Sequence, residues 1–254
     1  MVGELNDGVK RMCTAFLTVA DRHDPGLVEG LYLQGSIALG DYRPRVSDID
    51  FVAVTSRAPD PRIVRTVHAE LRRAGAKPYF DGLYVRWDDL RRDPGRVPSG
   101  IAVHEWRVDP VSRFERHLVT WHVLQQGGVA VRGPSVPTLG IYTDWQELAD
   151  TTRRNLGDYW EPWLRRKARG AVGLSPWAVS WGVLGVARLR HTLAAGRVTS
   201  KSEAAEFALG AYDKRWHRIV REALRIRVGG AQLYLNPWRR RADLVGFVAE
   251  AVRG

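Results

Sequence analysis

Cysteine is almost missing from these 254 residues: Cys13 stands alone, which excludes an intrachain disulfide framework and a multi-cysteine zinc site. No stretch approaches the roughly 18 apolar residues that span a bilayer. The opening MVGELNDGVKRM lacks the apolar segment and small-residue cleavage site of a secretory leader. The expected location is therefore the cytoplasm, with no membrane partner. Lysine is scarce too, since 34 of the 39 basic residues are arginine. Acid is short in one half only. Residues 1–110 balance 16 basic against 16 acidic side chains, whereas residues 111–254 hold 23 against 12, so the whole formal charge of +11 lies in the second half. Such asymmetry suits a half that faces phosphate or nucleic acid, or else arginines decorating solvated helices. Individual positions have to decide between the two.

What is present describes a folded chain of one large or two ordinary domains: 44% hydrophobic and 26% charged residues. A first helix is expected over 7–22. Residues 27–34, 49–55 and 79–87 read as strands rich in β-branched and aromatic residues, with 101–108 a weaker one. Between them, Pro61 opens a helical period through Ile63, Val67 and Leu71 that Gly75 stops. From 111 the period turns helical: one helix over Val111 to Gln126, then helices at 144–168, 176–195, 201–211, 213–228 and 240–252. Ser200 and Glu203 form a capping box for the third of these last five. The expected architecture is α+β, with a small mixed sheet in residues 1–135 and an all-helical domain in 136–254, divided within the Gly/Pro-rich 133–140.

The chemistry concentrates in LQGSIALGDYRPRVSDIDFVAV (33–54). A strand ends in Gly35-Ser36 and a second begins with Asp48-Ile49-Asp50. Strand alternation turns Asp48 and Asp50 to one side, about 7 Å apart along the strand. Paired carboxylates of this kind suit a hard cation such as Mg²⁺. Gly35 lets a ligand approach the backbone, and Ser36 offers a hydroxyl and an N–H to phosphate oxygens. Together they describe a site for a Mg²⁺-bound nucleoside triphosphate.

This combination resembles the nucleotidyltransferase superfamily, whose core is an apolar residue, Gly-Ser, a spacer of similar length, then Asp-x-Asp. The superfamily commonly adds a third carboxylate, and Asp81 in YFDGLYVRWDDL is the candidate, serving as metal ligand and as base for the acceptor hydroxyl, with Glu105 as the fallback base. Asp88 and Asp89 read instead as the start of a short helix. The likeness runs further. His104-Glu105-Trp106, which resembles a Gly-Glu-Trp element, VAVRGP at 129–134 and VLGVARLRHTLAAGRVTSKSEAAEFAL at 183–209 are similar to elements of the aminoglycoside adenylyltransferases that modify streptomycin and spectinomycin. That resemblance implies a helical domain closing over ATP. It implies that Gly35, Ser36, Arg188 and Lys201 bind the triphosphate, and that Trp106 lines the acceptor pocket. It also places glutamate where this chain has Asp81, one methylene shorter.

One departure bears on the acceptor. The family carries acids just before the arginine-bearing helix turn, to hold the amines of the drug, and Leu174 to Ser180 contains none. Asp158, Glu161 or Asp144 would have to replace them. The expected function is Mg²⁺-dependent transfer of AMP from ATP to a hydroxyl of an aminoglycoside or aminocyclitol, by a chain acting as a monomer. The alternatives are an anionic acceptor, such as tRNA or a phosphorylated metabolite, and a nucleotide-binding regulator without turnover.

Overall fold

The computed structural model describes residues 5–254; residues 1–4, the start of the stretch read above for a secretory leader, lie outside the described residues. The chain divides into two compact units, Met1–Asp144 and Trp145–Gly254.

In the first unit a six-stranded mixed sheet has the order β5-β4-β3-β2-β1-β6. Its strands are β1 (Val28–Leu33), β2 (Ile49–Thr55), β3 (Phe80–Val85), β4 (Gly100–His104), β5 (Arg107–Ser112) and β6 (Val129–Arg132). Only β2 and β3 run parallel. Their crossover contains α3 (Pro61–Ala74), which begins with Pro61 in its first turn and is capped by the Asp60 side chain on Arg62 N. The period of two along β2 separates the sheet's faces. Ile49, Phe51 and Ala53 pack against α1 (Asp7–His23) and α3, through Phe16, Val64, Val67 and Leu71. Val52 and Val54 point the other way, with Leu83 and Val85 of β3, against Trp121 and Leu124 of α5 (Leu118–Gly127). Asp50 and Asp81 share that second parity.

Two sequence expectations change here. Residues 111–126 are not one helix: β5 continues to Ser112, a loop follows, and α5 starts at Leu118. Pairing with β4, from His104↔Arg107 to Gly100↔Ser112, takes precedence over the apolar period, and Pro110 is tolerated because β5 is an edge strand. The weak strand at 101–108 is thus a hairpin. The helical unit also begins later than 136. Val136, Leu139 and Ile141 are buried in the sheet's α5-side core, so 136–144 stays with the first unit.

The second unit starts with α6 (Trp145–Asn155), which continues through wide π-helical turns at 156–160 and 164–168 on either side of α7 (Glu161–Trp163). Then come α8 (Pro176–Ala195), α9 (Lys201–Ala211), α10 (His217–Val228) and α11 (Pro237–Arg253). The Ser200/Glu203 capping box forms as its sequence indicates, with Glu203 N donating to Ser200 Oγ at 3.1 Å and Ser200 N to Glu203 Oε2 at 2.8 Å. Trp160 and Trp163 are buried against α8. Several arginines in this unit bond to the protein itself. Arg190 donates to Ala251 O at 2.6 Å, Arg240 to Leu174 O at 2.6 Å, and Arg225 makes two 2.9 Å bonds to the fully buried Glu222. Among the described residues no helix is long and apolar enough to cross a membrane.

His68 of α3 lies in the first unit's aromatic core, its Nε2 2.9 Å from the Tyr84 hydroxyl. Burial pushes its pKa down to about 3. The unfolded chain takes up a proton below about 6.5, one that the native imidazole refuses until about 3. His68 therefore favours folding above 6.5 and loses that contribution as pH falls, by at most about 1.4 kcal/mol per pH unit. Urea unfolding of the wild type and His68→Phe at pH 7 and pH 5 should show a loss larger by about 2 kcal/mol in the wild type. Equal losses would show that His68 is protonated in the native state.

Candidate active site

The site is built where β1 ends and β2 and β3 begin. After Leu33 the chain turns through Gln34, whose N–H donates to Asp50 O at 2.9 Å, into the single helical turn α2 (Gly35–Ala38). Gly35 has φ +59, and a Cβ on it would stand 2.0 Å from Asp50 Oδ2. Only glycine both adopts this backbone and leaves room for the carboxylate. The far end of α2 is seated as closely, since a Cβ on Gly127 of α5 would lie 2.2 Å from Ala38 O. Ser36 Oγ is buried without a hydrogen-bond partner in the protein. Such a hydroxyl costs about 1–3 kcal/mol unless something polar meets it, and a phosphate oxygen fits.

Parallel pairing sets Asp50 opposite Asp81 in register. Asp81 is only 4% exposed. Its Oδ1 accepts from Glu105 N at 2.9 Å, and its Oδ2 lies 3.1 Å from His104 Nδ1. Burial raises its carboxyl to about 6; the Glu105 N–H and His104 oppose the rise, and the charge of Asp48 adds to it. Asp48 is raised as well, chiefly by burial, with Lys77 and the Tyr79 N–H opposing and Glu105 adding. These acids therefore crowd one another in a partly desolvated place, the condition a cation relieves.

The donors to Asp81 come from an unusual turn. His104 and Arg107 pair across the β4–β5 hairpin, and the two residues between them, Glu105 and Trp106, have φ 49 and 66. Two left-handed non-glycine residues make a tight hairpin turn of the primed kind, at a cost of order 1–3 kcal/mol each. The structure uses the Glu105 backbone to hold Asp81, while the Glu105 side chain is exposed. Trp106 does not join the carboxylates. It is buried, its indole N–H donates to Ala76 O at 3.0 Å, and it floors a shallow cavity of about 380 Å³ beside Arg65, Arg72 and Arg73 of α3.

The sequence reasoning passed over two residues. Gln34 donates through Nε2 to Glu115 Oε2 at 3.2 Å, and Glu115, itself at φ 60, also accepts from Thr120 Oγ1 at 2.5 Å. This ties the residue before Gly35 to the start of α5. Only the structure could reveal Glu115, because 111–126 reads as a plain helix.

In the second unit Arg188 is half-buried on α8, and Thr199, just before α9, bonds back to its carbonyl at 3.5 Å. Lys201 opens α9 with its ammonium 5.5 Å from the Trp181 ring centre. Glu203, a conceivable partner for Arg188, is paired with Arg197 at 2.5 Å. Asp158 is exposed, and Glu161 is paired with Arg165 at 3.3 Å.

Comparison with known proteins agrees with this geometry. Residues 13–97 match the nucleotidyltransferase domain family, and residues 167–252 match the family described as aminoglycoside adenylyltransferase, C-terminal domain. The chain is a nucleotidyltransferase of the aminoglycoside adenylyltransferase family. No curated protein sequence matches it. Its fold is similar to that of spectinomycin adenyltransferase AAD(9) from Enterococcus faecialis, solved with ATP and spectinomycin: TM-score 0.71, 12% identity, covering 96% of this chain and 99% of that one.

The residues of this nucleotidyltransferase fit Mg²⁺ in part. Asp48 and Asp50 are hard oxygen donors beside an orphaned Ser36 hydroxyl. Among the described residues no three His, Cys, Asp or Glu are already gathered to hold a metal ion. Asp81 instead has both oxygens engaged by the hairpin.

The seat of Asp50 on Gly35 gives a direct test. Gly35→Ala should displace the carboxylate and lower the rate of nucleotidyl transfer by about 10²-fold, while circular dichroism keeps its native form. Full activity in this variant would show that Asp50 does not need that seat.

Proposed function

We propose that the enzyme transfers AMP from ATP to a hydroxyl of an aminoglycoside or aminocyclitol and releases pyrophosphate. The family match over 167–252 carries this reading, because it places a drug-modifying family's helical domain in one chain with the Gly-Ser and Asp-x-Asp site. The neighbouring fold, solved with ATP and spectinomycin, supports it. In this reading Asp48 and Asp50 hold Mg²⁺, which neutralises phosphate charge when bound, and Gly35 and Ser36 receive phosphate oxygens. By resemblance, Arg188 and Lys201 are assigned to the triphosphate and Trp106 to the acceptor side, although its burial makes it a support there. Acid–base work falls to the Asp81 region. Cytoplasmic action as a monomer belongs to the same reading.

An anionic acceptor is the second reading. The absence of acid from Leu174 to Ser180 favours it, as does the engagement of Glu161 with Arg165. Against it, part of the basic charge of this half is spent on carbonyls and Glu222 within the unit.

The deciding experiment is Mg²⁺-dependent pyrophosphate release from ATP, with streptomycin, spectinomycin, other aminoglycosides or bulk tRNA as acceptor. Stimulation by a drug, abolished by Asp48→Asn, is the expected result. Stimulation by tRNA alone, falling steeply with salt, would replace the first reading by the second. Lys201→Ala should weaken ATP binding by about tenfold, equivalent to about 1.4 kcal/mol, with unchanged thermal stability. Unaltered ATP affinity would return Lys201 to an ordinary first-turn residue.

A further inference from the structure

Two departures from the family pattern meet at one place. The resemblance puts glutamate at the position of Asp81 and a Gly-Glu-Trp element at His104-Glu105-Trp106. Here the acid is shorter by one methylene, and an imidazole stands where glycine would leave none. His104 Nδ1 lies 3.1 Å from Asp81 Oδ2. The ring also rests on Phe114, with centroids 4.8 Å apart. The imidazole is thus fixed by a hydrogen bond and by an aromatic neighbour. Its side chain is 61% exposed, against 5% for that of Asp81. The carboxylate is enclosed behind two donors, and the ring in front of it reaches solvent.

We propose that His104, held by Asp81, is the group that takes the proton from the acceptor hydroxyl. Asp81 is then a positioning residue. The inference rests on the nucleotidyl-transfer reading above. A buried carboxylate bonded to Nδ1–H fixes the tautomer in which Nε2 carries a free lone pair and holds the ring in one orientation. The acceptor oxygen bonds to the α-phosphorus of ATP as the bond from that phosphorus to its bridging oxygen breaks. Pyrophosphate leaves with the electron pair. The hydroxyl proton passes to His104 Nε2 and from there to water. The left-handed turn at Glu105 and Trp106 serves this arrangement, because it aims His104 and the Glu105 N–H at the two oxygens of one carboxylate.

The first test needs no acceptor. In the full chain labelled with ¹⁵N-histidine, His104 is identified among the seven histidines by the signal that His104→Gln removes. It should appear as the Nδ1–H tautomer, and Asp81→Asn should disturb it. An Nε2–H tautomer overturns the proposal. In turnover, His104→Ala should lower kcat by about 10²-fold or more with KM for ATP unchanged, and added imidazole should restore part of the rate. Asp81→Asn should not respond to imidazole. A His104→Ala enzyme with wild-type kcat also overturns the proposal and leaves Asp81 as the direct base. Failure of the wild type to turn over with any acceptor would count against nucleotidyl transfer instead, a result the tautomer measurement does not share.

Discussion

Everything at the site depends on the parallel pairing of β2 with β3. A parallel neighbour has to be reached by a crossover, and α3 supplies it by covering the Phe51 face of the sheet. The helix leaves the other face, at the heads of both strands, to polar side chains. Register then fixes Asp50 beside Asp81, and Asp48 follows at the strand's entrance. Three acids in one partly buried corner would be unfavourable without compensation. The structure meets this at two of them, with Lys77 and the Tyr79 N–H at Asp48 and the hairpin donors at Asp81, while Gly35 leaves Asp50 the room it needs.

That compensation spreads the site over more of the chain than its motif suggests. The Gly-Ser turn is held by Gln34 and Glu115, by the contact of α2 with α5, and by the backbone bond from Gln34 to Asp50. Asp81 depends on a hairpin at the opposite end of the sheet order. Both supports involve positive φ at residues other than glycine, Glu115 in one and Glu105 and Trp106 in the other. Backbone strain thus gathers around the carboxylates rather than at random turns, as expected where a fold is arranged for chemistry.

Much of this was legible in the sequence. The Asp-x-Asp pair, the Gly-Ser turn, the crossover helix with its Pro61 start and the Ser200/Glu203 cap all rest on local rules of period and capping, and local rules survive folding. The β4–β5 hairpin was not legible. Its turn carries no glycine or asparagine, and the apolar spacing from Val111 onward imitates a helix until a strand partner is supplied. α11 likewise begins at Pro237 behind an Asn236 cap, ahead of the periodic stretch at 240–252. Resemblance puts Trp106 at the acceptor side, and what the sequence could not show is that its indole N–H bonds to Ala76 O within the core. The large basic excess was legible as a sum but not as a role, since arginines such as Arg190 and Arg240 serve helix ends.

The edge strands carry a different consequence. β5, reading RVDPVS, presents Pro110 and charged side chains along the free margin of the sheet, and β6 at the other margin is only four residues long. A proline there removes a donor, and alternating charge repels an incoming backbone. Proline and charge along β5 therefore guard the sheet against extension by a stray chain. In the folded protein the sheet offers a poor template for strand-to-strand pairing at this margin.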